Sequence, residues 1–238
     1  MVNKAYQSIQ IVECNEPLVV IPLEKFAVET PHPYEKLGAD YQGKSPYYLR
    51  QEVLTNLTKA QLQLQTIQPG WRIKIFDAFR PVQVQAFMVN YTFTQQIKTQ
   101  GLNLDKLSSL EQECLWLEVY QLWAQPSLNP QTPPPHSTGA AIDITLVDAR
   151  GKTIDMGGEI DEMSPRSQPD YYANKISELE EKYHLNRQLL KQIMLDNHFV
   201  QHPAEWWHFS LGDQMWAWQL NQKNPNNNYV AKYGRFFN

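Results

Sequence analysis

Apolar residues recur at helical spacing in several stretches of this chain. In the stretch 53–67 they repeat every three or four positions with polar residues between them, and Gly70 follows. This pattern is typical of an amphipathic helix that ends before the glycine. The same spacing predicts four further helices: one that begins at Pro81, one over 107–117, one over 176–183 and one over 189–194.

Shorter stretches alternate apolar and polar residues with a period of two. Residues 71–77 do so, which is typical of a half-buried strand, and strands are also predicted over 141–147 and 206–211. Helices that lie early and late around a few strands favour an α+β fold, with a small antiparallel sheet and flanking helices. No segment separates halves of different composition, so we predict a single domain over residues 1–238.

Composition and charge restrict the class of protein. Hydrophobic residues make up 42% of the 238 residues, which is enough to bury a core without disulfides or structural metals. The 21 basic and 25 acidic residues leave a net charge of −4, so no basic excess is available to neutralise a phosphate backbone. We therefore expect no nucleic-acid partner.

Neither a membrane span nor an export signal is visible in the sequence. No apolar run approaches the length of about 20 residues that a membrane-spanning helix needs, and the first residues lead into Gln and Ser rather than an apolar segment. We therefore expect a cytoplasmic protein in which Cys14 and Cys114 are reduced thiols with packing roles, although a disulfide between them stays open.

The stretch 135–143, which reads P-H-S-T-G-A-A-I-D, carries the first candidate chemistry. Asp143 lies within a predicted strand, and alternation places its side chain on the face opposite the apolar Ile142 and Ile144. The proline-stiffened loop that carries His136 can fold back beside Asp143, and an imidazole and a carboxylate that converge in this way suit Zn²⁺. The alternative is a loop histidine and an aspartate that bonds a nearby backbone amide.

A second constellation, E-W-W-H, occupies residues 205–208. Glu205 and His208 fall on opposite faces of a regular strand, so they meet at one metal only if the chain turns at Glu205, and Pro203 favours such a turn. His208 would then be a third ligand, and Glu205 would stand beside the open position where water binds. The alternative is an exposed glutamate at a strand end. We interpret the two tryptophans as core residues.

A third stretch, D-A-F-R-P, occupies residues 77–81 and places Arg80 between a predicted strand and a predicted helix. Functional residues often lie at such junctions. The positive end of a helix dipole is unfavourable for a cation, so Arg80 is expected to face an anion. That anion is either a structural carboxylate or an oxyanion that develops during a reaction.

Together these stretches resemble the zinc-dependent D-alanyl-D-alanine dipeptidase family of the vancomycin-resistance type, which is grouped with D,D-carboxypeptidases and the hedgehog domain. The resemblance covers residues 34–209. The D-A-F-R-P stretch is similar to the family's D-G-Y-R-P, residues 136–143 match its zinc motif H-x-x-G-x-A-x-D, and residues 205–208 match its second zinc motif. Residues 156–163 resemble the M-G-x-x-F-D segment of the dipeptidase branch, which favours a dipeptidase over a carboxypeptidase.

The resemblance implies a hedgehog/D,D-peptidase-like fold, one Zn²⁺ per chain and a role for each matching residue. His136, Asp143 and His208 would be the zinc ligands. Glu205 would be the general base and then the acid, and Arg80 would stabilise the transition state.

Two further residues are implied to bind substrate, which would be the small dipeptide D-alanyl-D-alanine. Asp161 would receive the free amine of the substrate, and Tyr34 would correspond to a substrate-side tyrosine, although its local spacing is shifted by one residue. Pro134 stands where the family usually has a serine, and a hydroxyl contact to the substrate is thereby lost.

Two other functions stay open at the level of sequence. One is a D,D- or L,D-carboxypeptidase that cuts longer peptidoglycan stems, and the other is a zinc-containing binding module without activity. Retention of both Glu205 and Arg80 argues against the binding module, because a module without activity needs no general base beside its metal. The oligomeric state cannot be read from the sequence.

Overall fold

The computed structural model describes residues 4–174 and 176–236. Its α-helices are α1 (Pro33–Lys36), α2 (Gln51–Ile67), α3 (Val82–Thr99), α4 (Ser109–Leu122), α5 (Glu178–Asp196) and α6 (Gln214–Lys223). Short 3₁₀ segments lie at Ala5–Ser8, Leu104–Lys106, Pro135–Thr138 and Pro165–Ser167. The strands are β1 (Leu18–Val20), β2 (Ala27–Val28), β3 (Tyr48–Arg50), β4 (Arg72–Asp77), β5 (Ala141–Val147), β6 (Val200–Gln201) and β7 (His208–Ser210).

Five of these strands form the main sheet, in the order β2–β4–β5–β7–β6, while β1 and β3 form a separate antiparallel pair. Within the main sheet every pairing is antiparallel except that of β2 with β4, which is parallel. The predicted α+β class is therefore confirmed. The two-residue strand β2 is too short to show a period in the sequence, and it supplies the one parallel pairing.

Strand β5 is the centre of the sheet and is buried along its whole length. Ile142, Ile144 and Leu146 point into the larger hydrophobic core, together with apolar residues of β4 and of the covering helices α2 and α5. A second cluster lies between α3 and α4, where the rings of Phe93 and Trp116 stack with their centroids 3.9 Å apart. The core thus holds β5 from one side and leaves its polar residues on the other.

The register of the sheet brings three polar residues to one face. Asp143 on β5 lies opposite His208 on β7 and, after a register shift in β4, opposite Asp77. Residues that are directly paired across antiparallel strands project from the same face. Three adjacent strands therefore deliver two carboxylates and an imidazole to one place.

Two predicted helices are in fact one. Residues 178–183 of the first predicted stretch and the whole of the second, 189–194, belong to the continuous helix α5, because neither Gly nor Pro interrupts residues 178–196. The side chain of Ser177 caps this helix by accepting a hydrogen bond from the backbone N–H of Glu180. Ile176 precedes the cap and is exposed, so it does not belong to the apolar face that we predicted.

The apolar face predicted for α4 is wrong, although the helix itself exists. Leu110, Cys114 and Leu117 are exposed, whereas Leu115 and Val119 on another side of the helix are buried. Helix α4 presents apolar residues on more than one side, and its packing against α3 selects the face that is buried. The packing role predicted for the two cysteines is wrong as well, because both are exposed free thiols.

Strand β7 is shorter than predicted, since the chain turns and bends over residues 203–207 before it reaches His208. Trp206 and Trp207 are buried in the core, as predicted. Among the described residues, no helix has the length and apolar character required to cross a membrane.

Candidate active site

A cavity lies at the ends of β4, β5 and β7. Six of the seven residues singled out in the sequence line this cavity: Arg80, His136, Asp143, Asp161, Glu205 and His208. They come from segments far apart in the chain, and the sheet register and the loops around it bring them together. Tyr34 is fully buried and lies behind the guanidinium of Arg80, whose central carbon is 4.9 Å from the centre of the Tyr34 ring.

His136, Asp143 and His208 form a group that can hold a metal ion, since one ligand atom of each lies within 4.8 Å of the others. The Nε2 atom of His136 lies 3.2 Å from Asp143 Oδ2 and 3.2 Å from His208 Nδ1, and His208 Nδ1 lies 3.0 Å from Asp143 Oδ1. With metal–ligand bonds of about 2.0–2.2 Å, neighbouring ligand atoms in a tetrahedral site are about 3.3–3.6 Å apart. The distances from the two ring nitrogens to each other and to one or the other oxygen of Asp143 are close to this spacing.

The hydrogen bond of His136 on its other side fixes which ring nitrogen faces the group. Its Nδ1 atom lies 2.8 Å from the carbonyl oxygen of Ala78, which can only accept a hydrogen bond. Nδ1 therefore carries the proton, and the neutral ring presents the lone pair of Nε2 to the site.

His208 is oriented in the same way by a chain of two hydrogen bonds. The hydroxyl of Ser210 donates to Asp213 Oδ2 over 2.8 Å, and its oxygen lies 3.3 Å from His208 Nε2. Because the hydroxyl proton is engaged with Asp213, Nε2 of His208 is the donor to the serine oxygen. In its neutral form His208 therefore presents the lone pair of Nδ1 to the site. Sequence analysis missed Ser210 and Asp213, because nothing in their spacing marks them.

Glu205 reaches the metal group because the chain turns before it, as its predicted role requires. Its Oε2 atom lies 3.8 Å from His208 Nδ1, and its Oε1 atom lies 3.5 Å from His202 Nδ1. The carboxyl group is buried, and burial raises the pKa of Glu205 to about 7. A carboxyl group whose pKa lies near neutrality can both take up and release a proton.

Arg80 is held by four hydrogen bonds. Its Nε donates to Asp77 over 2.9 Å and one terminal nitrogen donates to Gln85 over 2.8 Å. The other terminal nitrogen donates to the hydroxyl of Tyr34 over 3.0 Å and to Asp143 over 3.1 Å. The guanidinium is therefore fixed between two carboxylates and faces the cavity in one orientation.

Asp77 is a buried anchor that was not singled out, although it belongs to the D-A-F-R-P stretch. It bonds Arg80, and its carboxylate also lies 3.2 Å from His136 Nδ1 and 3.2 Å from His32 Nε2. Burial alone would raise the pKa of Asp77, but Arg80 and the two histidines hold it well below its usual range. Asp77 is thus a permanent anion that orients two site residues.

Asp161 faces the cavity from the loop that follows β5. Its carboxylate accepts a hydrogen bond of 2.9 Å from the hydroxyl of Tyr34, which itself accepts from Arg80. Burial, assisted by the nearby Asp143, raises the pKa of Asp161 to about 8. A carboxyl group in such a place favours a cation beside it, because the cation offsets the loss of hydration.

A buried arginine, Arg187, holds the loop that carries Asp161 through a hydrogen bond to its backbone. Nε of Arg187 donates to the carbonyl of Met156 over 2.7 Å, and the hydroxyl of Tyr172 donates to the carbonyl of Gly157. Gly157 has a φ of +75°, and an added Cβ atom would lie 2.5 Å from the ring of Tyr183. The loop therefore requires glycine at this position.

Two further histidines lie buried near the site. His32 caps α1 and lies against Asp77. His202 is buried three residues before Glu205, and burial lowers its pKa well below the usual value. Its position beside Glu205 follows from the turn over 203–204, which sequence spacing alone did not reveal.

Comparison with known proteins gives a consistent result. A family model described as peptidase M15, D-Ala-D-Ala dipeptidase, matches residues 26–229. A D-alanyl-D-alanine dipeptidase of Synechocystis sp. is 50% identical over 238 residues, which cover 98% of this chain and 96% of the relative. The D-alanyl-D-alanine dipeptidase of Escherichia coli is 43% identical over 76 residues, which cover 32% of this chain and 37% of the relative.

Two solved structures overlap with the fold. One is the vancomycin resistance D,D-pentapeptidase VanY in complex with Zn(II), with a TM-score of 0.47, 10% identity and coverage of 75% of this chain and 80% of that one. The other is the LD-carboxypeptidase LdcB, with a TM-score of 0.45, 15% identity and coverage of 88% of this chain and 75% of that one.

Proposed function

The chain belongs to the peptidase M15 family of D-Ala-D-Ala dipeptidases, and from this premise we propose how its residues hydrolyse D-alanyl-D-alanine to two molecules of D-alanine. One observation carries the proposal. Two histidines and an aspartate lie within 4.8 Å of one another, in a cavity that a buried glutamate and a buried arginine also line. This is the set of groups that metal-assisted peptide hydrolysis requires.

Zinc is the cofactor, and we propose that one ion is held by His136, Asp143 and His208. The ring nitrogens that face the site carry lone pairs, and the ligand atoms are spaced for tetrahedral coordination. When bound, zinc supplies a Lewis acid that polarises the peptide carbonyl and lowers the pKa of a bound water. Ala78 and Ser210 keep the two rings in the orientation that binding needs.

Glu205 moves the proton in this proposal. Its carboxylate takes a proton from the attacking water and gives it to the nitrogen of the departing D-alanine. Burial supports this role, because it raises the pKa of Glu205 to about 7, where the group can both take up and release a proton near neutral pH.

Arg80 stabilises the oxyanion that forms when the carbonyl carbon becomes tetrahedral. The side chain of Arg80 has five N–H groups, and hydrogen bonds to described residues use four of them. The fifth N–H is on the terminal nitrogen that also donates to Gln85. The guanidinium cannot turn away from the cavity, since Asp77 and Asp143 hold it from two sides. Such a fixed donor costs no reorganisation during the reaction.

Asp161 receives the free amine of the dipeptide, with Tyr34 acting as a positioning residue behind it. The pair restricts the enzyme to short substrates, because a longer stem peptide has no charged amine at this position and would leave the Asp161 carboxylate without a partner. Pro134 stands where the family usually has a serine, so a hydroxyl contact to the substrate is absent here.

Release of D-alanine from the free dipeptide tests the whole proposal. The purified protein with zinc should release two equivalents of D-alanine, and a chelator should abolish the release. N-acetyl-D-alanyl-D-alanine should be a poor substrate, since its blocked amine cannot pair with Asp161. Equal use of the free and acetylated dipeptides would contradict the amine role and would favour a carboxypeptidase acting on longer stems.

We also propose that residues 1–238 form a single domain that acts in the cytoplasm on this small substrate. The single domain is supported by the absence of any segment that separates halves of different composition. Fractionation of cells, with dipeptidase activity as the readout, tests the location.

A further inference from the structure

We propose that Lys4 determines the specificity of the site by binding the C-terminal carboxylate of the dipeptide. The inference rests on the proposed function and deepens it. It assigns a role to a segment that precedes the sheet and lies outside every motif considered above.

Lys4 is half-buried and lines the same cavity as Arg80, Asp161 and Glu205. Among residues 4–174 and 176–236, no hydrogen bond or ion pair engages its ammonium group, although its backbone N–H donates to Gln7 over 3.0 Å. A partly buried cation without a partner is costly, and burial lowers the pKa of Lys4. An anion brought into the cavity would remove that cost.

The segment that carries Lys4 is firmly attached. The adjoining 3₁₀ segment Ala5–Ser8 packs against α6, and Tyr6 is buried beside the cavity. The side-chain amide of Gln214 donates to the carbonyls of Gln7 and Ile9 over 3.3 Å and 2.7 Å. Lys4 is therefore delivered to the cavity by a packed element and does not extend from a free loop.

Among the described residues, the charges of the cavity leave the substrate carboxylate no other uncompensated cationic side chain as a partner. The dipeptide is a zwitterion, and Asp161 accounts for its ammonium group. The guanidinium of Arg80 is already compensated by Asp77 at 2.8 Å and Asp143 at 3.1 Å. Lys4 is the remaining cationic side chain that lines the cavity within the described part of the chain.

The position of Lys4 relative to Glu205 agrees with this assignment. Both side chains line the same cavity, and they are near enough to attract each other. Glu205 protonates the nitrogen of the departing residue, and a single carbon separates that nitrogen from the carboxylate. The cation that binds the carboxylate must therefore lie near Glu205, as Lys4 does.

The experiment compares D-alanyl-D-alanine with its C-terminal amide, D-alanyl-D-alaninamide, in four proteins: the wild type, Lys4→Gln, Lys4→Arg and Lys25→Gln. Lys25 is exposed and remote from the cavity, so its variant is the matched control. Wild-type kcat/KM should be about 10–100-fold higher for the acid than for the amide, the usual effect of one charge-assisted hydrogen bond. Lys4→Gln should lose this preference, mainly through a higher KM for the acid, while Lys4→Arg should retain most of it.

The outcomes separate this inference from the proposed function. If the zinc-loaded wild type releases no D-alanine from the dipeptide, the proposed function fails. If it is active but Lys4→Gln still prefers the acid, the assignment of Lys4 is wrong. Equal losses on both substrates, with a shifted pH profile, would mean that Lys4 acts on Glu205 instead and would likewise overturn the carboxylate role. Zinc content and circular dichroism of Lys4→Gln exclude a folding defect as the cause of its losses.

Discussion

At the scale of single residues, a substitution of Glu205 can remove the proposed general base without changing the zinc ligands. Replacement by Gln keeps the shape and the zinc ligands but removes the group that accepts the proton. We expect Glu205→Gln to bind zinc normally and to lower kcat by about 10²–10⁴-fold, the usual contribution of a general acid–base group. The measurements are zinc content and steady-state kinetics, with the exposed Glu181→Gln on α5 as control.

The pH profile of the wild type belongs to the same prediction. Only the ionised carboxylate accepts a proton, and burial raises the pKa of Glu205 from 4.5 to about 7. As the pH falls through this range the base is lost, so kcat at saturating substrate should decrease on the acid side at a pH above that of an ordinary glutamate. An acid limb at about 4.3, or near-normal activity of Glu205→Gln, would show that Glu205 is structural.

A substitution of Arg80 has to be interpreted differently, because this residue makes buried hydrogen bonds and is also proposed to stabilise the oxyanion. A lysine keeps the charge but cannot reproduce four hydrogen bonds from one planar group. We expect Arg80→Lys to lower kcat by about 10²–10³-fold per bound zinc, as loss of an oxyanion donor does elsewhere. Kinetics normalised to zinc content check this.

Arg50→Lys is the matched control for Arg80. Arg50 is equally buried and also donates four hydrogen bonds, but it does not line the cavity. Its replacement should lower the stability of the fold and leave kcat within a few-fold of the wild type. If Arg80→Lys behaved like this control, Arg80 would be a structural ion pair.

The sequence identified residues that line the cavity better than it identified their surroundings. Each motif contains its candidate site residues within a few positions, so Arg80, His136 and Glu205 can be recognised locally. Ser210 is different, because its role depends on a side chain that sheet pairing brings beside it. Lys4 likewise acquires its position only through packing on α6, which no spacing within the chain reports.

At the scale of elements, the loop that carries Asp161 depends on a single glycine. Gly157 has a φ of +75°, and a Cβ atom there would lie 2.5 Å from Tyr183 and 2.6 Å from Tyr172. We expect Gly157→Ala to displace the loop, raise KM for the free dipeptide and lower the free energy of unfolding by about 2–4 kcal/mol, from backbone strain and crowding together. Zinc content should stay normal.

Gly151→Ala separates those two contributions. Gly151 has a φ of +82°, but nothing lies within 4 Å of an added Cβ atom. Gly151→Ala should therefore lower the free energy of unfolding only by the cost of backbone strain, about 1–2 kcal/mol, and leave KM unchanged. Chemical denaturation and kinetics of both variants provide the comparison, and equal effects would mean that crowding at Gly157 is unimportant.

Elements were predictable from the sequence wherever burial alone decides them. Strand β5 was found with its observed bounds of Ala141–Val147, because a continuous apolar face follows a clear proline and glycine boundary. The buried face of α4 was not, since Leu110 and Leu115 are equally apolar and only the position of α3 selects between them. The division of α5 into two helices was wrong, because the helix continues through residues 184–188, between the two predicted stretches.

At the scale of the whole molecule, the metal couples segments that are remote in sequence. An ion bound only by the folded state stabilises it by about 2.7 kcal/mol when its concentration is 100 times its dissociation constant. For a chain of this length we expect a chelator to lower Tm by about 5–10 °C. Differential scanning calorimetry checks this, and His136→Ala, which lacks one ligand, should show no response to the chelator.

The same stabilisation should depend on pH in a defined direction. If zinc is bound by the neutral imidazoles of His136 and His208, as proposed, protons compete with the ion as the pH falls. The difference in Tm between the zinc-loaded and zinc-free proteins should therefore shrink as the pH falls. A difference that stayed constant down to pH 5 would contradict histidine ligation.

The order of the ligands along the chain has a consequence for biosynthesis. His136 and Asp143 leave the ribosome together, whereas His208 follows Asp143 by 65 residues. At about 5–20 residues per second, the interval is about 3–13 s. During it the nascent chain holds two of three ligands, and the edge of β5 that later pairs with β7 is open to wrong strands. Docking of β7 therefore closes the sheet edge and completes the metal site in one event, so the ion enters a nearly finished fold.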